Sequence, residues 1–272
     1  MIFGENRLVI FWGGLLSGVM SPILQRHIPY DVTQPQRLPG MMPLDPNDWL
    51  WVDEVYGAQM ALRRDLIAHQ RDQVVALDPS GQAAAQELVD HALAWARQHL
   101  DIVQRDHVVT CPDGLQVQVD PDDPMGTLGR IFQNDFCILE KRGAEHVMTG
   151  AVLCFPASWR LGEKFMRPLT GIHDTVAPYD AGVAKRVQRL FDAIRVDGPL
   201  WRFNALYYRD PALHQPNGQH SVRDAAQVAQ VGYVRSERQS LLRLPQSEAV
   251  VFGIHTIVVD RSRVGALPVS QP

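Results

Sequence analysis

Residues Val152 to Tyr179 read VLCFPASWRLGEKFMRPLTGIHDTVAPY. The opening VLCF is an apolar run of strand character, and Pro156 ends it because proline has no amide hydrogen to give a ladder. Behind Ser158, a residue type suited to capping a helix, the pattern turns helical to about Leu169. One histidine, His173, then precedes a second break at Pro178. A strand leading straight into helix marks a crossover, and the segments on either side of it set the fold.

On the N-terminal side, Asp135 to Lys141 (DFCILEK) and Met148 to Phe155 (MTGAVLCF) flank the turn-like Arg142 to Glu145 and predict an antiparallel hairpin. On the C-terminal side, Ala181 to Ile194 places Val183, Val187, Leu190, Phe191 and Ile194 on one helical face. Three strands are predicted after it, over Trp201 to Tyr208, Glu237 to Leu244 and Ala249 to Asp260. Two strands, a helical crossover and three strands make an α+β fold, a PAS-like antiparallel sheet with a pocket between sheet and crossover.

Two helices, about Trp49 to Ala76 and Gln82 to Leu100, are expected outside that core, with Arg63 and Arg64 on a solvated face. Five prolines between Pro29 and Pro46 exclude regular structure there and predict an arm leading into the domain. Leu115 to Val119 alternates like a strand, and the carboxylates of the Pro121 to Pro124 run read as a solvated turn. The apolar Leu8 to Leu24 is short of a membrane span and carries glycines and a proline. Residues 1–28 are therefore read as an extension that packs on the domain or stays mobile, with an uncleaved anchor as the other reading. Residues 29–272 form one domain, with a helical subregion at about 47–100 and the PAS-like core at about 135–260.

With 46% hydrophobic and 21% charged residues the chain can bury a large core. A net charge of -4 without a basic cluster argues against nucleic acid. Three dispersed cysteines form no C-x-x-C pair, which points to a reducing, cytoplasmic setting. Cys154, in an apolar run, reads as a small buried hydrophobe. Phosphate-loop, dinucleotide, zincin and serine-hydrolase motifs are absent. Attention therefore falls on single residues near the pocket, where a lone histidine such as His173 is either structural or an axial ligand of haem iron.

The string LCFPASW, with Glu163-Lys164, RPL at Arg167 to Leu169 and Ile172-His173, resembles the alpha subunit of haem-dependent oxidative N-demethylase. PLDPNDWL at Pro43 to Leu50, RFN at Arg202 to Asn204, and RSERQSLLRLPQSEAVVFGIHT at Arg235 to Thr256 agree with it, in the same order. The resemblance implies a haem b protein that activates O2 and oxidises a small secondary amine such as dimethylamine, releasing formaldehyde. It also implies electrons from a reductase carrying FMN and a 2Fe-2S cluster on partner subunits. The chain departs from the family at Asp174 to Pro178, where a proline pair is expected, and at Ala205, where a tryptophan is more typical.

On chemical grounds, His173 is the expected proximal ligand, and Arg202 or Arg238 the partner of the haem propionates. Asn204 lies beside them as a further cofactor-side polar residue. His255 is a distal group, a second axial ligand or a solvent-facing residue, and Glu237 is the carboxylate that would accept an amine. The competing reading is a haem PAS sensor or carrier that binds a gas without turnover.

Overall fold

A computed structural model describes residues 21–34, 40–173, 181–217, 221–222 and 231–268. In chain order the elements are β1 (Met42–Pro43), α1 (Tyr56–His69), α2 (Arg71–Val74), β2 (Val75–Leu77), α3 (Gln82–His99), β3 (Val103–Arg105), β4 (Val108–Thr110), β5 (Gln116–Gln118) and α4 (Pro124–Ile131). The hairpin β6 (Asp135–Arg142) and β7 (Glu145–Val152) comes next, then the crossover α5 (Leu161–Lys164), α6 (Leu169–His173) and α7 (Ala181–Ala193). Strands β8 (Leu200–Tyr208), β9 (Ser221–Val222), β10 (Tyr233–Arg243) and β11 (Val250–Asp260) follow.

The main sheet runs β1-β8-β10-β11-β6-β7-β2, with β9 paired to β8, and β3-β4-β5 form a separate small sheet. Its five long strands thus stand third, fourth, fifth, first and second in chain order, all antiparallel. Gly143 makes the β6–β7 turn possible, because its φ of 65° is a left-handed conformation that costs glycine little. The architecture is α+β, as the sequence predicts.

Strand residues alternate between two faces, and each face has its own cover. On the first, Phe136, Ile138, Val152, Leu242 and Val251 pack with Met60 of α1, Leu88 and Ala92 of α3, and Leu128 of α4 in one buried cluster. The same face of β8, β10 and β11 carries Phe203, Val234 and Ile257, covered by the arm through Val32 and Tyr30. On the second face, Cys137, Leu139, Leu241, Val250 and Ile254 cluster with Leu161, Leu169, Ile172 and Phe191 of the crossover.

Several expectations give way to tertiary contacts. The first long helix starts at Tyr56, not Trp49, because the carbonyls of Asp48 and Trp49 are used to accept Arg238 from the sheet. It ends at His69, and Val75–Leu77 becomes a strand paired with β7. The crossover helix expected from Ser158 to Leu169 is split into α5 and α6: Ser158 and Met166 have φ of 67° and 60°. Met166 N donates to Met148 O at 2.9 Å, pinning the break to the edge of β7.

The Pro121 to Pro124 run caps a helix that the sequence reading did not include. Asp123 accepts from Gly126 N at 3.0 Å, and its carboxylate pairs with Arg71 and Arg130 at 2.6 and 2.9 Å, so it is not simply a solvated turn. Gln25 packs on the sheet at the edge of β11, where its amide donates to Val258 O at 2.8 Å.

Arg63 is the largest departure. It is fully buried, not solvated, and pairs with Asp135 at 2.7 Å while donating to the carbonyls of Gly129, Gln133 and Asn134. Asp135 in turn accepts from Cys154 N at 2.7 Å and Phe155 N at 2.9 Å. One ion pair thereby fixes α1, the start of β6 and the beginning of the CFPASW segment.

Candidate functional site

The second face of the sheet carries two zones, of which the crossover packs on the apolar one. The apolar zone contains Leu241 and Ile254 with Leu169 and Ile172 of α6. Beside it lies a polar zone spread over three adjacent strands, with Asn204 of β8 opposite Glu237 of β10 and Glu237 opposite Thr256 of β11. One step nearer the apolar zone, Arg202 stands opposite Gln239, which stands opposite Ile254.

Glu237 is 9% exposed and tightly dressed on one oxygen. Asn204 Nδ2 and Gln239 Nε2 both donate to Oε2 at 3.1 Å. The nearest cation to Oε1 is Arg235 Nε at 3.8 Å, beyond hydrogen-bond length. Arg235 is held by Leu213 O at 3.0 Å and Phe155 O at 2.7 Å, which ties the loops after β7 and β8 to the sheet. Three buried polar atoms of this zone, Arg202 Nε, Arg235 Nε and Thr256 Oγ1, meet no hydrogen-bond partner among the described residues. Burial lowers the Arg202 guanidinium from its ordinary value, and the Glu237 charge works against that shift.

Helix α6 is fastened along its length. Val147 bridges to Pro168 at its start, Thr170 Oγ1 donates to Glu145 Oε1 at 2.7 Å, and Lys164 Nζ donates to Ile172 O at 2.8 Å at its end. Lys164 also lies 5.0 Å from the Trp159 ring centroid, and burial lowers its pKa, opposed by Glu163 and Cys137. His173 is the last residue of α6, directly after the buried Ile172. The His173 side chain and residues 174–180, including the departure at Asp174 to Pro178, lie outside the described residues.

The sequence-predicted residues divide between the two faces. Arg202, Asn204 and Glu237 share the crossover face, whereas Arg238 and His255 are cross-strand partners on the opposite one. The reason is the period of two: Glu237 and Arg238 are consecutive in β10 and must point apart. Arg238 is sandwiched by Trp51 and Trp201, at 4.1 and 5.3 Å from their centroids, and bonded to Asp48 and Trp49. It therefore stands apart from Arg202. His255 is completely buried and joins Asp53 through Nε2 at 3.1 Å, so it neither faces solvent nor lies beneath the crossover. Ala205 also lies on this reverse face, packed against the arm cluster and turned away from the crossover.

Burial alone would raise the Asp53 carboxyl, but hydrogen bonding and charge from His255, with bonds from Gln133 and Gln25, hold it down at about 2. Because this folded value is below the ordinary 3.8, the interaction stabilises the fold fully above that pH and is lost as pH falls through about 2. Asp53→Asn is expected to cost ~2 kcal/mol near neutral pH. Chemical denaturation across the acid range should show the two proteins converging below about pH 2. A difference that persists unchanged into strong acid contradicts the linkage.

A family model described as haem-dependent oxidative N-demethylase, alpha subunit-like, matches residues 40–269. The chain belongs to this family. For an alpha subunit-like N-demethylase, haem dependence gives the two zones a purpose. The apolar side chains of crossover and sheet suit a porphyrin, and Arg202, whose buried Nε meets no hydrogen-bond partner among the described residues, suits a carboxylate of its rim. Among the described residues no three metal-ligating side chains converge, and haem iron requires only one or two protein donors. The residues present fit the group. The alpha subunit-like description also implies other subunits.

Sequence reading did not select Arg235, Thr256 or Lys164 as site residues. Arg235 and Thr256 could have been found by carrying the alternation of Glu237 two residues back along β10 and across to β11. Lys164 is brought to Ile172 only by the split crossover, for which the sequence carries no signal.

Proposed function

We propose that this oxidoreductase binds haem b between the crossover and the second face of the sheet and oxidises a small secondary amine, such as dimethylamine, with O2, releasing formaldehyde. The observation that carries this reading is the group of buried polar atoms around Glu237 that meet no hydrogen-bond partner among the described residues, on the face of the sheet whose apolar part packs with the helix that ends in His173. The strand order, with its crossover between the second and third long strands, supports a PAS-like core. When bound, the haem supplies iron for oxygen chemistry.

The chain's own residues have separable tasks. His173 would hold the haem iron, and Arg202, with Asn204 on the same strand, would receive a propionate. Glu237 accepts an N–H of the amine through Oε1, since Oε2 is already occupied by two amides. The leucine and isoleucine side chains of the crossover exclude water from that contact. Electrons come from a partner reductase bearing FMN and a 2Fe-2S cluster.

Haem reconstitution should produce a Soret band, and dimethylamine added with a reductase and O2 should yield formaldehyde. Glu237→Gln should retain the band while weakening amine binding about tenfold or more, as expected for loss of a charge-assisted hydrogen bond. A Soret band without amine-dependent formaldehyde would favour the gas-binding carrier or sensor. No band at all would overturn the haem reading.

A further inference from the structure

Thr256 presents a buried hydroxyl without an internal purpose. It is 1% exposed, and its Oγ1 has no hydrogen-bond partner among the described residues. Its backbone carbonyl is well used, accepting from Gln25 and Gln59 at 3.2 Å, so the residue is well anchored through its main chain. A buried hydroxyl left unpaired is penalised, and a valine of similar shape avoids that penalty.

Thr256 is the direct cross-strand partner of Glu237. Opposed residues on one face of an antiparallel pair have Cβ atoms about 4.5–5.5 Å apart. Glu237 Oε2 is occupied by Asn204 and Gln239, while Oε1 has no hydrogen bond among the described residues. Adjacent strands thus carry two acceptors side by side on one face, a carboxylate oxygen and a hydroxyl oxygen. A protonated secondary amine carries two N–H donors and a protonated tertiary amine one.

We propose that Thr256 Oγ1 is the second acceptor of the amine site and sets its preference for ammonium groups with two N–H donors over those with one. This rests on Glu237 being the first acceptor, as proposed above. The hydroxyl hydrogen remains free to rotate away from the incoming donor. Methyl groups of the ligand would turn toward the apolar zone of Leu241 and Ile254.

The haem-loaded protein titrated with dimethylamine and with trimethylamine, by calorimetry and by difference absorption, tests the assignment. Thr256→Val should weaken dimethylamine binding about tenfold and leave trimethylamine within about twofold, while Thr256→Ser restores the preference. The unfolding midpoint of Thr256→Val should be unchanged or raised, because no internal hydrogen bond is lost. Equal weakening of both amines, or of neither, overturns the role of Thr256 even where Glu237→Gln abolishes binding. Binding of both amines that survives Glu237→Gln instead removes the first acceptor and the amine reading with it.

Discussion

Asp135→Ala is expected to destabilise the chain by about 3–5 kcal/mol, the range for breaking a buried ion pair from one side. The carboxylate and Arg63 are both completely inaccessible to solvent. Removing it leaves a guanidinium whose donors still meet the carbonyls of Gly129, Gln133 and Asn134, but whose charge has no counterion in that cluster. It also strips the acceptor from the amides of Cys154 and Phe155. The two orphaned amides account for part of that loss, since a buried amide without a partner costs roughly 1–3 kcal/mol.

Urea unfolding distinguishes these contributions. The double change Arg63→Met with Asp135→Leu removes the charges together and should recover only part of the loss, because the two amides remain unpaired. Full recovery would show that charge alone was responsible. A loss below about 1 kcal/mol for Asp135→Ala would mean that the pair does not clamp the start of the crossover.

His173→Ala is expected to remove the axial ligand and reduce haem retention at least about a hundredfold, since outer-shell partners of metal ligands alone are worth ~10–100-fold. Transfer of haem to an excess of an apo-globin measures retention, and the absorption spectrum reports the ligand field. Added imidazole should restore the wild-type spectrum in the cavity left by the substitution. His255→Ala is the internal comparison. It should leave the haem spectrum in place and cost about 1–3 kcal/mol of stability, because it breaks the bond to Asp53 on the opposite face. If His255→Ala alters the spectrum and His173→Ala does not, the ligand comes from the other side of the sheet.

The contrast between these two histidines shows where sequence reading reached its limit. Both were visible, one before a break and one in a strand. Alternation required Glu237 and Arg238 to face apart, so the sequence already excluded a pocket containing both. It could not say which of the two faces the crossover would cover. Likewise Arg63 and Arg64 are neighbours in a helix with similar chemistry, yet only Arg63 is turned onto Asp135, seventy-two positions away. Ala205 looked like a change in the pocket because it follows Asn204, but one step along a strand is a change of face.

Local chemistry by itself determined the β6–β7 hairpin, helix α3, the three C-terminal strands and the α+β order, because apolar periodicity and glycine or proline breaks act over a few residues. It also determined the family resemblance that the match over residues 40–269 bears out. Tertiary structure alone decided that the crossover splits at Met166, that Arg63 is buried, and that Glu237, Thr256 and Arg202 share one face of the sheet while His255 and Arg238 share the other. Those outcomes depend on register between strands far apart in the chain. Register is fixed by which faces bury together, and a one-residue difference reverses every side chain.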